Sequence, residues 1–432
     1  MPRFSNLFVA ILLGCAAPAY STTYVLNSQG TGDFSTIQDA IDAAVDGDEI
    51  VLEDGGYAGE GNHNLRFDGK AITLRSASGD PDQCVLVGID ANRGWGIWGI
   101  TFDAGEGPDS VLDGIGFWGF ACGSGDVDCP GVAVLAEGAS PTIRSVHVTL
   151  SSFASQAPVV FRDSQSFVEG LRVTQSDKGI AAIGSTLTLE DCLIESNSSV
   201  ESSGVGVISY NSNITIRSSR IRGNVQEFHG QPEGGAGIFA SNSTLLIEDT
   251  EITDNESKYG GAILLKNHCA LTIRRSTIAG NRAIEGGAIY TGLSGFGRGG
   301  SSSDVTLEHT IVRANCADVA GTEDASFGGT VFGMVDCSSV DTARMAGIAA
   351  LTLGPANSFD DPLFCAPRAC SAPSGERGIY TLQSGSPLLD FPGCGLIGLY
   401  GVQCTVSIQS MSWGQIKSQY LTPSLRRPSP TR

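Results

Sequence analysis

Asp191, Asp249 and Arg275 occupy the same place in three copies of a recurring apolar pattern, and their types suit them to acid–base or metal chemistry. Carboxylates repeated at one offset come to one face, where they can flank a glycosidic bond or hold a cation. The position just before them forms a second charged column, Glu190, Arg217, Glu248, Arg274 and Glu308, in which the sign alternates. Stacked in register, its carboxylates stand roughly 10 Å apart with an arginine between each pair. A neighbouring guanidinium favours the ionised carboxylate over a proton-donating acid. Calcium takes six to eight oxygens, and Arg217 and Arg274 crowd positive charge onto that face. The plainer reading is a ladder of solvated ion pairs, each exposed rung contributing a few tenths to about 1 kcal/mol.

These columns exist because the chain repeats. The stretches LTLEDCLIESN, ITIRSSRIRGN, LLIEDTEITDN, LTIRRSTIAGN and VTLEHTIVRAN begin at Leu187, Ile214, Leu245, Leu271 and Val305. Each ends on an asparagine: Asn197, Asn224, Asn255, Asn281 and Asn315. The repeat lengths of 27, 31, 26 and 34 residues show a fixed core with elastic remainders, as in stacked units whose insertions are confined to loops. Apolar residues alternate at the start of each copy, which marks a strand. A second apolar position follows (Ile194, Ile221, Ile252, Ile278, Val312), then the Asn, a turn and a small-residue strand start such as Gly261-Ala262 or Gly287-Ala288.

Three short strands per turn predict an all-β fold, a single-stranded right-handed parallel β-helix with coils about 4.8 Å apart. The Asn column is expected at a sharp corner, the Asn itself taking the left-handed conformation and its amide bonding to the Asn one coil away. The small column Cys192, Ser219, Thr250, Ser276 and Thr310 is expected inside the coil, with the Cys acting as a small hydrophobe.

The ends divide the chain further. Residues 1–21 read as a secretory signal, with Arg3 before an apolar stretch and Ala17-Pro18-Ala19 as a cleavage site. Leu12-Leu13-Gly14-Cys15 also approximates a lipobox, leaving free secretion and lipid anchoring through Cys15 both open. Residues 22–46 are expected to form an N-terminal cap. Ser35 and Gln38 have capping-box spacing there, and Ile37, Ala40, Ile41 and Ala44 form one apolar face. Glu49–Leu52 would be the first strand. The β-helix would run over 47–340, the last coils and a Cys-containing C-terminal cap over 341–404, and a basic tail over 405–432, a short helix then disordered chain.

Twelve cysteines suggest disulfides; without Cys15 eleven remain, so at least one thiol is unpaired within the chain. Cys365, Cys370, Cys394 and Cys404 cluster near the end and allow three pairings among themselves. The net charge of −20, with no Lys/Arg run in the body, disfavours nucleic acid as a partner.

The stretch GDFSTIQDAIDAAVDGDEIVLEDGGY resembles the opening of pectin-lyase-like β-helix proteins. The N…GGA rhythm is similar to the passenger repeats of polymorphic outer-membrane proteins, and FDDPLFC to the closing segment of bacterial surface β-helix proteins. The resemblance spans residues 23 to 404 and implies a bacterial secreted or surface protein. Hydrolases of this kind carry an Asn-Thr-Asp triplet and a Gly-His-Gly. This chain has neither, since Phe228 precedes His229-Gly230 and the double acid Asp360-Asp361 lies in the closing segment. Lyases of this kind use calcium and an arginine base, an inventory that Asp191, Asp249 and Arg275 match superficially. Esterase residues do not carry over.

Two swollen loops complete the candidates: 225–233 with Phe228 and His229, and 292–300 with Phe296, beside Tyr259 and Tyr290. Sugar rings stack on aromatics, so a saccharide groove and drifting insertions are both open readings. The expectation is a monomeric, exported, non-catalytic module binding a polysaccharide or another surface polymer, with no cofactor. The alternative is a polysaccharide lyase, with calcium, on the Asp191/Asp249/Arg275 face.

Overall fold

The computed structural model describes residues 21–88, 98–120, 131–151, 156–200, 204–227, 234–292, 302–327, 330–347 and 351–404. The signal, Cys15, the basic tail, Phe228, His229 and Phe296 lie outside them.

The chain winds through three long parallel sheets of 13, 11 and 10 strands, each coil contributing one strand to each sheet in turn. One sheet, here the charged sheet, contains Thr186–Glu190, Asn213–Arg217, Thr244–Glu248, Cys269–Arg274 and Ser302–Glu308. The next, the strap sheet, contains Leu193–Glu195, Arg220–Arg222, Glu251–Thr253, Thr277–Ala279 and Ile311–Arg313. The third, the aromatic sheet, contains Ile180–Ile183, Val207–Tyr210, Ile238–Ser241, Ile263–Lys266 and Ile289–Thr291. Inward residues of all three sheets form one continuous core, including Leu187, Ile194, Ile216, Ile221, Ile247, Ile252, Ile273 and Ile278.

At the N-terminal end, strand β1 (Thr23–Leu26) precedes helix α1 (Ile37–Ala43), and β2 (Glu49–Leu52) pairs in parallel with β1. Glu49–Leu52 is therefore the second strand. The helix buries Ile37, Ala40, Ile41 and Ala44 against the first coils. Its cap is Thr36, whose side chain accepts from the Asp39 amide, one residue on from the expected Ser35.

The Asn column is a continuous buried ladder. Asn197, Asn224, Asn255 and Asn281 each donate from Nδ2 to Oδ1 of the next asparagine at 2.9, 2.9, 3.0 and 3.0 Å. The last rung, Asn315, donates to Asp324 at 3.1 Å. The left-handed residue is not the Asn but the one before it: Ser196, Gly223, Asp254, Gly280 and Ala314, with φ from 56° to 68°. The division of labour is physical. One residue turns the chain, and the next, back in an ordinary conformation, points its amide inward to the backbone of neighbouring coils.

The small column forms a second ladder at the corner between the charged and strap sheets. Cys192, Ser219 and Thr250 amides donate to the hydroxyls of Ser219, Thr250 and Ser276 at 3.0, 3.3 and 3.1 Å. A third ladder of Ser164, Ser185, Ser212 and Ser243 lines the remaining corner. These hydroxyls satisfy buried backbone groups that a purely apolar column would orphan. The thiol of Cys192 ends this ladder, donating to the Glu190 carbonyl at 3.3 Å and more weakly to the Val168 carbonyl at 3.8 Å.

The C-terminal segment does more than close the end. After the last coil it runs back along the outside of the strap sheet, so that Arg377 reaches Glu195 and Ser196, six coils back from that end, or about 29 Å. Two of the four late cysteines pair with the body: Cys316–Cys370 and Cys337–Cys394, with Cys365–Cys404 inside the segment. Pairing confined to the late four is thereby corrected. The strap's Phe364, Tyr380, Leu382, Leu388 and Ile397 pack on Ala279 and Ile311, and Tyr380 donates to the buried Asp254. Gly280 makes room for that ring, since a Cβ there would overlap the Tyr380 hydroxyl. Among the described cysteines, Cys84, Cys192 and Cys269 are free and buried.

Candidate functional site

Two outer faces carry the residues of interest. On the charged sheet, the column noticed over five repeats extends over ten coils in direct register. It reads Arg75, Asp113, Arg144, Glu169, Glu190, Arg217, Glu248, Arg274, Glu308 and Asp336. Alternation fails twice, at Glu169–Glu190 and Glu308–Asp336. Salt bridges join Arg217 to Glu248 at 3.1 Å and Arg274 to Glu308 at 2.8 Å.

Asp191, Asp249 and Arg275 sit at the corner that follows this column, all in the left-handed conformation with φ of 52°, 49° and 48°. Ser218 occupies the corner between Asp191 and Asp249, so the two carboxylates are not neighbours. Asp249 is instead held by Arg275 through two hydrogen bonds of 2.8 Å each. That pairing raises the Arg275 pKa above the ordinary guanidinium range, the reverse of what an arginine base needs. Glu248 draws Arg274 at 3.8 Å and Arg275 at 3.5 Å to the same place. Among the described residues, no three His, Cys, Asp or Glu side chains lie close enough to hold a metal ion.

The aromatic sheet is built differently. Its outward column runs Thr101, Leu135, Val160, Ala181, Ile208, Phe239, Leu264, Tyr290 and Ser326 in register. Most of it is apolar and nearly inaccessible, although it faces away from the core. The chain entering each strand seals it. Gly286, at φ 65°, turns into Gly287-Ala288 so tightly that a Cβ would stand 2.9 Å from Tyr290 Cβ. This is the physical content of the repeated Gly-Gly-Ala: a left-handed turn, then a close approach of backbones.

Above that seam lie half-buried rings. Tyr259 and Tyr290 contact each other with centroids 5.0 Å apart, and Tyr210 meets Phe239 at 5.2 Å. The Lys258 and Lys266 ammonium groups stand 5.5 Å from the Tyr259 and Phe239 ring centres. Burial first, then Glu285 and Tyr259, pushes the Tyr290 phenol up to about 12, so it stays neutral and able to donate. At the N-terminal end of the same face, a cavity of 420 Å³ is lined by Trp98, Arg66, Asp103 and Glu137, with Arg66 bonded to Asp103 at 2.7 Å. From Arg66 to Tyr290 the face spans nine strands, about 38 Å.

The sequence reading found Tyr259 and Tyr290 but missed Trp98, Tyr210, Phe239, Lys258 and Lys266. A signal was present: Phe239, Leu264 and Tyr290 each follow the isoleucine just after the small-residue start. The stretches 228–233 and 293–301 hold the remaining candidates Phe228, His229 and Phe296. Outside both faces, the His147 ring bonds Asp82 at 2.6 Å and Thr174 at 2.9 Å, and burial lowers its pKa.

Residues 130–322 match the family model described as right handed beta helix region. No curated protein matches. Of solved structures, a pectate lyase, Pel9A, is similar at 13% identity and TM-score 0.39, over 89% of this chain and 98% of that one. An alginate lyase, AlyF-OU02 in complex with G6, is similar at 11% identity and TM-score 0.28, over 90% of this chain and 97% of that one. At these scores neither likeness assigns an activity. With its stacked parallel sheets and the matched region, the chain is a right-handed parallel β-helix protein.

Proposed function

We propose that this protein is a non-catalytic module that binds a polysaccharide or another extended surface polymer along the outer face of the aromatic sheet. The carrying observation is the half-buried Tyr259–Tyr290 pair with Lys258 beside it, on a face that continues through Tyr210 to the Trp98 cavity. Half-buried rings offer flat apolar area while their polar tips remain available to hydroxyls. A periodic strip of this length suits a polymer better than a metabolite. The three disulfides among the described residues favour an oxidising compartment, which supports export, either free or anchored through Cys15; the module acts as a monomer. Among the described residues, no helix is long and apolar enough to cross a membrane.

The test is a panel of neutral and acidic polysaccharides in affinity electrophoresis. Replacing both Tyr259 and Tyr290 by Ala is expected to weaken the best binder roughly tenfold or more. A panel without any binder would sink the reading. Release of unsaturated sugars with added calcium, abolished by Asp249→Ala, would replace it with the lyase alternative.

A further inference from the structure

Between the strap and the last coils lies a cavity of 570 Å³ whose walls come from both. The coils contribute Arg313, Asp324, Asp341 and Arg344, and the strap contributes Asp361 and Arg368. The Cys316–Cys370 bond fixes the two walls together, since Cys370 itself lines the space. Arg368 is the telling residue. Its side chain is 2% exposed, and only Nη2 is engaged, with Glu256 at 3.2 Å and the Pro373 carbonyl at 2.9 Å. Nε and Nη1 are buried without a hydrogen-bond partner. Oδ2 of the fully buried Asp324 likewise lacks one, having only the Arg344 guanidinium at 3.4 Å.

Buried donors and acceptors left unmet are rare in native proteins and call for a partner. The two orphan nitrogens ask for acceptors, at least one of them anionic. The three aspartates match Arg313, Arg344 and Arg368 in number, so the cavity has no surplus positive charge for a compact dianion, and the carboxylates ask for hydroxyl donors. The volume is that of a small-ligand site, roughly one or two sugar rings. We propose that this cavity binds a sugar-sized monoanion, a polyhydroxy carboxylate, with its acceptors on Arg368 and its hydroxyls on Asp324, Asp341 and Asp361. The site is independent of the aromatic face, which lies on another sheet.

Calorimetric titration of the disulfide-intact protein with glucuronate, gluconate, glucose and inorganic phosphate tests this. The two sugar acids are expected to bind, with glucose and phosphate weaker by roughly tenfold or more. Arg368→Lys retains a charge for Glu256 but changes the donor geometry, and is expected to lose a similar factor with its melting temperature little changed. Asp361→Asn, at an exposed wall, is expected to weaken binding severalfold and serves if Arg368→Lys fails to fold. The double tyrosine variant leaves the titration unchanged, so the two binding readings fail separately. Absence of binding by either acid, equal affinity for glucose or phosphate, or indifference to both cavity variants would overturn the proposal.

Discussion

The charged and aromatic sheets are wound from the same coils and present opposite solutions to an outward-facing column. On the charged sheet, Arg217, Glu248, Arg274 and Glu308 satisfy one another along the stack, and nothing in that arrangement solicits a ligand. On the aromatic sheet, Ile208, Phe239 and Leu264 are sealed by the incoming chain, while Tyr210, Tyr259 and Tyr290 remain half-covered above them. Repetition gives both faces their order. What differs is whether the column's own members meet each other's needs. A self-satisfied column fixes register; an incompletely covered one leaves a surface for something else.

The strongest way to break this comparison is to remove the scaffold both faces share. Asn255→Ala deletes four side-chain hydrogen bonds, with the Asn224 amide, Asn224 Nδ2, the Ile221 carbonyl and Asn281. Several buried groups are orphaned, so chemical denaturation should show a loss of about 3–5 kcal/mol, with both faces failing together.

Next in size is the end of the same ladder. Burial pushes the Asp324 carboxyl up to about 6, from an ordinary 3.8. The folded state therefore binds this proton more tightly than the unfolded one. Its contribution to stability is present below the unfolded value and is lost as pH rises through about 6. Asp324→Asn should flatten the stability profile between about pH 4 and pH 6 by on the order of 2 kcal/mol; an unchanged slope would refute the assignment.

Smaller effects separate the faces from one another. Tyr290→Ala alone should weaken polymer binding by about 1 kcal/mol in affinity electrophoresis, with the charged face untouched. Glu248→Lys places a cation beside Arg217, Arg274 and Arg275 and should lower stability by about 1 kcal/mol in a salt-dependent way, without changing polymer binding. Asp249→Asn keeps a residue that tolerates the left-handed corner, weakens only an exposed pair with Arg275 and should cost a few tenths of a kcal/mol. An equal effect of Glu248→Lys and Tyr290→Ala on binding would erase the distinction between the faces.

The repeating part of the fold was legible in the sequence because register in a parallel stack follows directly from periodicity. Residues one repeat apart, such as Glu190 and Arg217 or Asn197 and Asn224, are direct neighbours. The pattern weakens before Leu187, where the short strands Val111–Asp113 and Thr142–Arg144 carry too few alternating residues to announce themselves. Tyr259 and Tyr290 could be named, but their contact could not, since Tyr259 lies in the chain entering a strand and Tyr290 within one.

Periodicity by itself determined the β-helix, the coil-to-coil Asn column and the alternating charges, for each follows from local alternation and a fixed repeat. Tertiary structure decided which residue of each corner turns left-handed, where Cys370 and Cys394 find their partners, and that the C-terminal segment returns along the strap sheet. Those outcomes depend on contacts between residues far apart in the chain that no repeat relates. Arg377 meets Ser196, and Tyr380 meets Asp254, only because the packed coils present a surface for the strap to follow.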